Sequence, residues 1–184
     1  MDHGDHVELL RKGVPGRGGV WADLGAGAGA FTLALAELVG EGGSILAVDK
    51  DGRSLQEAGR AVNRFFPGID FNYIQADFTR PLALPPLDGA VMANSLHFVR
   101  DKEPVVRRLM GYLKPEGRFI LVEYNADRGN PWVPHPLSYG TWEALAARCG
   151  FKHTSFLSSR PSRFLGEIYS AVSWGYTLDS SNQR

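Results

Sequence analysis

Cysteine is nearly absent: Cys149 is the only one in 184 residues. That excludes an intramolecular disulfide and a thiolate zinc site of the usual kind, and it fits a reducing, cytoplasmic setting. Net charge is absent too, since 20 basic residues face 20 acidic ones. No global field is therefore present to hold a phosphate backbone or an anionic membrane surface by counterion release, and nucleic acid is disfavoured as the main partner. Arg107, Arg108, Lys114 and Arg118 come close to a basic face, which reads as solvated helix flank. No apolar run approaches membrane-spanning length, and the opening MDHGDHVELLRKGV is polar and acidic where a secretory leader is basic and then apolar. No membrane association is expected. His3 and His6 have no neighbouring residues to complete a ligand set, so no metal site is expected either.

What the chain does have is alternation. Short β-type apolar runs alternate with longer helix-type segments, the pattern of a parallel sheet covered by helices on both faces. VWADL (Val20–Leu24) reads as a first strand and Phe31–Val39 as a helix whose Phe31, Leu35 and Leu38 share a face. GSILAVDK is a second strand, GRSLQEAGRAVNRFF a second helix stopped by Pro67 and Gly68, and IDFNYIQAD a third strand. A proline-rich connection, TRPLALPPLDG, leads to a fourth strand over about 90–93, then a helix over Glu103–Leu113 and a fifth strand in GRFILVEYN. The loop ADRGNPWVPHPLSYG holds three prolines and two glycines, and long loops in compact domains are often functional. TWEALAARCG is a short helix closed by Gly150. FKHTSFLSS and FLGEIYSAVSW lie too close together for a crossover helix, so they pair as an antiparallel hairpin. The whole chain reads as one domain: an N-terminal helix or lid segment (1–18), a core (19–176) and a frayed polar tail (177–184).

The informative stretch is DLGAGAGAF. A glycine turn between a strand and a helix brings backbone N–H groups and a helix N-terminus to the carboxyl end of the sheet. Gly25, Gly27 and Ala30 satisfy the dinucleotide pattern with its permitted final alanine, and Asp49 stands near the distance at which an acid binds ribose. Three features tilt against a dinucleotide. Asp23 puts a carboxylate where a pyrophosphate would be repelled. Asp77 in QADF supplies an acceptor beside an aromatic ring, suited to a purine amine. The closing hairpin replaces further strand–helix units.

DLGAGAGAF, AVDKD, QADF and LKPEGRFILVEY stand in the order and spacing of the motifs of class I S-adenosylmethionine-dependent methyltransferases. The chain resembles that family from Val20 to Trp174. The resemblance implies a doubly wound α/β fold: a seven-stranded, mostly parallel sheet of order 3-2-1-4-5-7-6 with strand 7 antiparallel and helices on both faces. It also implies S-adenosyl-L-methionine as cofactor, with S-adenosyl-L-homocysteine as product. Carried over residue by residue, Asp23 receives the methionine ammonium, and the backbone of Gly25, Ala26 and Gly27 lines the methionine and ribose. Asp49 accepts the ribose hydroxyls, Lys50 lies along the adenine, Asp77 accepts from its amine and Phe78 flanks the ring. Asn94 faces the methionine end.

The resemblance implies transfer to a small-molecule acceptor through an O, N or C nucleophile, with the protein mainly aligning the reactants. His97 in NSLHFV is the side chain best placed as a base, and Tyr124 is the other catalytic candidate. Asn125, Trp132, His135 and Tyr139 are acceptor-pocket candidates, Trp132 and His135 foremost. The N-terminal segment is short for the family: either a longer lid belongs to the protein, or the acceptor enters openly beside a second subunit of a homodimer. ANSLHF lacks the double proline of enzymes acting on planar amide or adenine nitrogens, a lone Cys149 does not suit cytosine C5 or arsenic methylation, and Asn94 stands where the magnesium-dependent catechol type carries an acid. The other readings are a methyltransferase acting on RNA or protein, an NAD(P)-binding oxidoreductase, and a cofactor-binding subunit without catalysis.

Overall fold

The computed structural model describes residues 1–176; the tail 177–184, expected to fray, lies outside the described residues. Seven strands form one sheet: β1 (Val20–Leu24), β2 (Ser44–Asp49), β3 (Asp70–Gln75), β4 (Leu87–Ala93), β5 (Leu113–Tyr124), β6 (Phe151–Ser162) and β7 (Gly166–Tyr176). Their order is β3-β2-β1-β4-β5-β7-β6, with β7 antiparallel to both β5 and β6. This is the expected topology. From β1 the chain winds outward to β2 and β3, and from β4 it winds the other way to β5. The crevice at the carboxyl ends of β1 and β4 is therefore the topological switch point, where open α/β sheets bind ligands.

Each face of the sheet has its own core. On one side α1 (His3–Arg11), α2 (Ala30–Val39) and α3 (Gly52–Phe65) bury Leu9, Leu10, Leu35 and Val62 against Trp21, Ile45, Ile120 and Val172. On the other, α4 (Glu103–Met110) and α5 (Tyr139–Cys149) bury Val106, Leu109 and Trp142 against Ala22, Met92, Phe119 and Tyr169. The central strands β1 and β4 are buried on both faces, as central parallel strands must be, whereas the edge strand β3 is largely exposed. The N-terminal segment does form a helix, started by a capping box in which Asp2 accepts from the Asp5 N–H at 2.9 Å and Asp5 returns the bond. It docks through a His3–Glu37 contact of 2.8 Å to α2 and an Arg160–Asp5 bond of 2.9 Å to β6.

Some boundaries differ from expectation for local reasons. The helix expected to reach Leu113 ends at Met110, because Gly111 closes it on the Arg107 and Arg108 carbonyls and Leu113 already pairs with Leu87. That pairing lengthens β4 and β5 together. The β3–β4 crossover carries no helix. Its prolines keep it extended, and it is pinned to α4 by Arg108 Nη1 on the Thr79 carbonyl (2.6 Å) and to the turn after α4 by the Leu82 N–H on the Tyr112 hydroxyl (2.8 Å). The basic residues read as solvated flank are likewise tied in: Arg107 to Glu103 and the Cys149 carbonyl, Lys114 to Asp88, and Arg118 over the Trp174 ring. Among the described residues no helix is long and apolar enough to cross a membrane.

Candidate functional site

The β1–α2 turn is bound to its neighbours by its own backbone. The Gly25 and Ala26 N–H groups both donate to the Val48 carbonyl, at 2.8 and 3.1 Å, and the Gly29 N–H donates to Ala26. The Gly27 N–H donates to Asp49 Oδ2 at 2.8 Å. These four donors are spent inside the protein, so they are not offered to an anion. Gly25 is required twice over. Its φ is +83°, and a Cβ there would lie 2.4 Å from the Ser95 Cβ. Gly27, at φ +52°, has nothing within 4 Å of its missing Cβ and opens onto a cleft.

That cleft has a volume of ≈ 560 Å³ and is lined by Gly25, Gly27, Asp49, Lys50, Phe78, Thr79, Asn94, Ser95, Phe98 and Val99. Six residues expected to meet the cofactor thus share one wall. Asp49, at the tip of β2, also accepts from the Asp51 N–H at 2.9 Å, which fixes the carboxylate on the cleft side of the glycine turn. Asn94 leaves β4 in the left-handed region, φ 52°, a conformation asparagine tolerates better than most residues. Its Oδ1 is buried with no hydrogen-bond partner.

Two of the expected acids lie elsewhere. Asp23 is 1% exposed and sits behind the turn, its Oδ2 accepting from the Thr32 hydroxyl at 2.6 Å. Burial pushes its carboxyl up, Thr32 opposes this only in part, nearby Asp49 adds to it, and the result is about 6. Asp77 stands at the rim: Oδ1 accepts from the Thr79 N–H and hydroxyl, at 2.9 and 2.6 Å, and Oδ2 pairs with Lys50 at 3.0 Å. Partial desolvation raises its carboxyl, but Thr79 and Lys50 outweigh that and hold it at about 2. It is a turn former as well as an acid.

Beyond Phe98 the character of the site changes. His97, in the 3-10 turn Leu96–Phe98, is buried against Glu123 of β5, its Nδ1 3.0 Å from Oε2 and 3.1 Å from Oε1. The His97 ring lies 4.3 Å from Phe98 and 5.8 Å from Tyr124. The long loop reaches this corner through the His135 N–H, which donates to the His97 carbonyl at 3.0 Å, while Trp132 is 72% exposed. Neither Trp132 nor His135 lines the cleft, nor does any residue of α1. Glu123 is the residue passed over in the sequence. Its signal was a lone carboxylate in the apolar run FILVEY, where a charge must have a partner.

Residues 22–121 match the model of the family described as "Methyltransferase domain". The ubiquinone/menaquinone biosynthesis C-methyltransferase UbiE of Haemophilus ducreyi is 31% identical over 105 residues, 56% of this chain and 40% of that protein. An arsenite methyltransferase of Aquipseudomonas alcaligenes is 29% identical over 158 residues, 76% of this chain and 46% of its own length. The chain thus spans less than half the length of these curated relatives. Among solved structures, the YcgJ protein of Bacillus subtilis superposes with a TM-score of 0.74 over 95% of this chain and 100% of its own, at 15% identity, a likeness of fold. With the family model covering more than half its length, this chain belongs to the class I S-adenosylmethionine-dependent methyltransferase family.

Proposed function

We propose that the chain binds S-adenosylmethionine in the cleft at the β1/β4 switch point and transfers its methyl group to a small-molecule acceptor that approaches over Phe98 and Tyr124. The observation that carries this reading is a pair of buried acceptors beside the glycine turn that lack a cationic donor. Asp23 is a buried carboxylate without a cation, and Asn94 Oδ1 is a buried oxygen without a donor. Both fit an ammonium, and the turn's inward-directed N–H groups do not favour a pyrophosphate. Asp49 has the two oxygens that a ribose diol needs, and Gly27 leaves room for one to approach. Lys50 and Phe78 would flank the adenine end, and Asp77, whose Oδ2 pairs with Lys50, would accept from its amine. When bound there, the cofactor supplies an electrophilic methyl with its own leaving group. The protein's part is then to hold both reactants in line and exclude water.

The relatives narrow the acceptor less than the site does. Arsenite chemistry relies on exposed thiolates, and the one cysteine here is buried, its thiol pushed up to about 11 by burial. The acceptor is a small carbon, oxygen or nitrogen nucleophile in the cytoplasm. Asp49→Ala is expected to weaken S-adenosylhomocysteine binding at least tenfold, about 1.4 kcal/mol, through loss of charge-assisted bonds to the ribose. Isothermal titration of the folded variant checks this, and an unchanged affinity would remove Asp49 from the ribose.

A further inference from the structure

Glu123 is 0% exposed, the most buried carboxylate in the described chain, and it does not line the cofactor cleft. A charge in such a place needs donors for both oxygens. They are the His97 N–H at 3.0 Å, the Tyr124 N–H at 3.2 Å, and His97 Nδ1, within 3.1 Å of each oxygen. An ionised carboxylate only accepts, so an imidazole proton resides on Nδ1, and in the neutral ring Nε2 keeps its lone pair. Because one carboxylate holds both the backbone and the ring of His97, the ring cannot rotate without breaking the set. The charged and titratable groups around the pair are Lys102 ahead of α4, Tyr124 on β5 and Tyr169 on β7, with His135 of the long loop bonded to the His97 carbonyl. Lys102 donates to the Val99 carbonyl at 2.8 Å; burial pushes its ammonium pKa down, and the Glu123 charge opposes this.

Aromatic rings surround the outer edge of this pair. Phe98 forms part of the cofactor wall and also contacts His97, Tyr124 lies on the other side, and Phe164 stands 6.4 Å from Tyr124 at the hairpin tip. Phe98 and Phe164 are 64% and 56% exposed, so the rim presents flat apolar surface to whatever enters. Resting on the methyl-transfer reading above, we propose that Glu123 is a positioning residue that holds His97 as a base acting through Nε2, and that the acceptor is a planar hydroxylated molecule, a phenol or enol. Such an acceptor must shed its O–H proton as its oxygen bonds to carbon, whereas a neutral amine attacks through a free lone pair and sheds its proton afterwards. The acceptor oxygen gains the methyl as the carbon–sulfur bond breaks and its electron pair returns to sulfur. The O–H proton passes to Nε2, and the imidazolium formed is balanced by the Glu123 carboxylate.

The test pairs spectroscopy with kinetics. Long-range ¹H–¹⁵N spectra of the complex with S-adenosylhomocysteine should show the His97 ring as a single Nδ1-protonated tautomer, and Glu123→Gln should turn it into a mixture. Methyl transfer to catechol, 1-naphthol and aniline is then followed across the neutral pH range. The expected result is transfer to the two phenols and not to aniline, with the rate falling on the acid side. Glu123→Gln should lower kcat about 10²-fold while leaving KM and S-adenosylhomocysteine affinity near wild type, Glu123→Asp should restore part of the rate, and His97→Gln should abolish the acid limb. Transfer to aniline alone, no transfer to either phenol, full kcat in Glu123→Gln, or an Nε2-protonated His97 in the wild type would overturn the proposal. If Glu123→Gln does not fold, the wild-type tautomer and the His97→Gln pH profile decide it. Wild-type protein that fails to bind S-adenosylhomocysteine would instead strike the methyl-transfer reading.

Discussion

Gly25→Ala is expected to lower the unfolding free energy by about 3 kcal/mol, combining a left-handed backbone penalty of roughly 1 kcal/mol with overpacking of roughly 1–3 kcal/mol. The new methyl would sit 2.4 Å from the Ser95 Cβ and 2.9 Å from its hydroxyl oxygen, which donates to the Leu24 carbonyl at 2.8 Å. Relief requires β1 and the exit of β4 to move apart, and Asn94 stands on that exit. Binding of S-adenosylhomocysteine should therefore fall with stability. A thermal melt should show Tm lower by roughly 6–12 °C, given about 2–4 °C per kcal/mol for a chain of this size. Gly27→Ala is the contrast. Its methyl meets no protein atom within 4 Å and projects into the cleft, so affinity should fall sharply for a stability loss of about 1 kcal/mol. Equal stability loss in the two variants would contradict the packing assigned to Gly25.

Asp23→Asn should move stability and binding in opposite directions. The folded carboxyl titrates at about 6 against an ordinary 3.8, so the native state holds that proton more tightly than the unfolded chain does. Stability from this group is therefore present below 3.8, is lost as pH rises through the window to about 6, and stays lost above it. The loss is of order 3 kcal/mol. Asparagine keeps an oxygen for the Thr32 hydroxyl and carries no charge, so at neutral pH the ligand-free variant should be more stable by roughly 1–3 kcal/mol. An ammonium-bearing ligand then loses its counter-charge, and S-adenosylhomocysteine affinity should drop at least tenfold. In the wild type that affinity should also weaken as pH falls below about 6, where Asp23 gains its proton, and in Asp23→Asn this dependence should disappear. Calorimetry of binding and melting on the same samples checks both signs. A variant less stable than wild type with unchanged affinity would show that Asp23 serves the fold alone.

Much of this was legible because the signals were local and periodic. Strand β1 was read to the residue, since its apolar run is bounded by glycines on both sides, and the antiparallel hairpin followed from a connection too short for a helix. The end of α4 was not legible. Val105 to Leu113 keeps helical spacing, and only the tertiary pairing of Leu113 with Leu87 takes the last residues into a strand. The site divided in the same way. Asp49 and the glycines are set by a short motif, and their geometry follows from the turn. Glu123 and His97 are 26 residues apart and meet only because β4 and β5 are neighbours, a contact no local pattern encodes. The Asp77 side chain shows the converse: its motif pointed to an adenine acceptor, and the bonds from Thr79 add a turn-forming role that the motif did not announce.

The measurement that bears most directly on the cleft is isothermal titration of the purified chain with S-adenosylmethionine, S-adenosylhomocysteine and NADH in parallel. Micromolar binding of the first two and none of the third is the predicted result. Binding of NADH without either methionine derivative would mean that the glycine turn holds a pyrophosphate, and that the buried Asp23 carboxylate is not waiting for an ammonium.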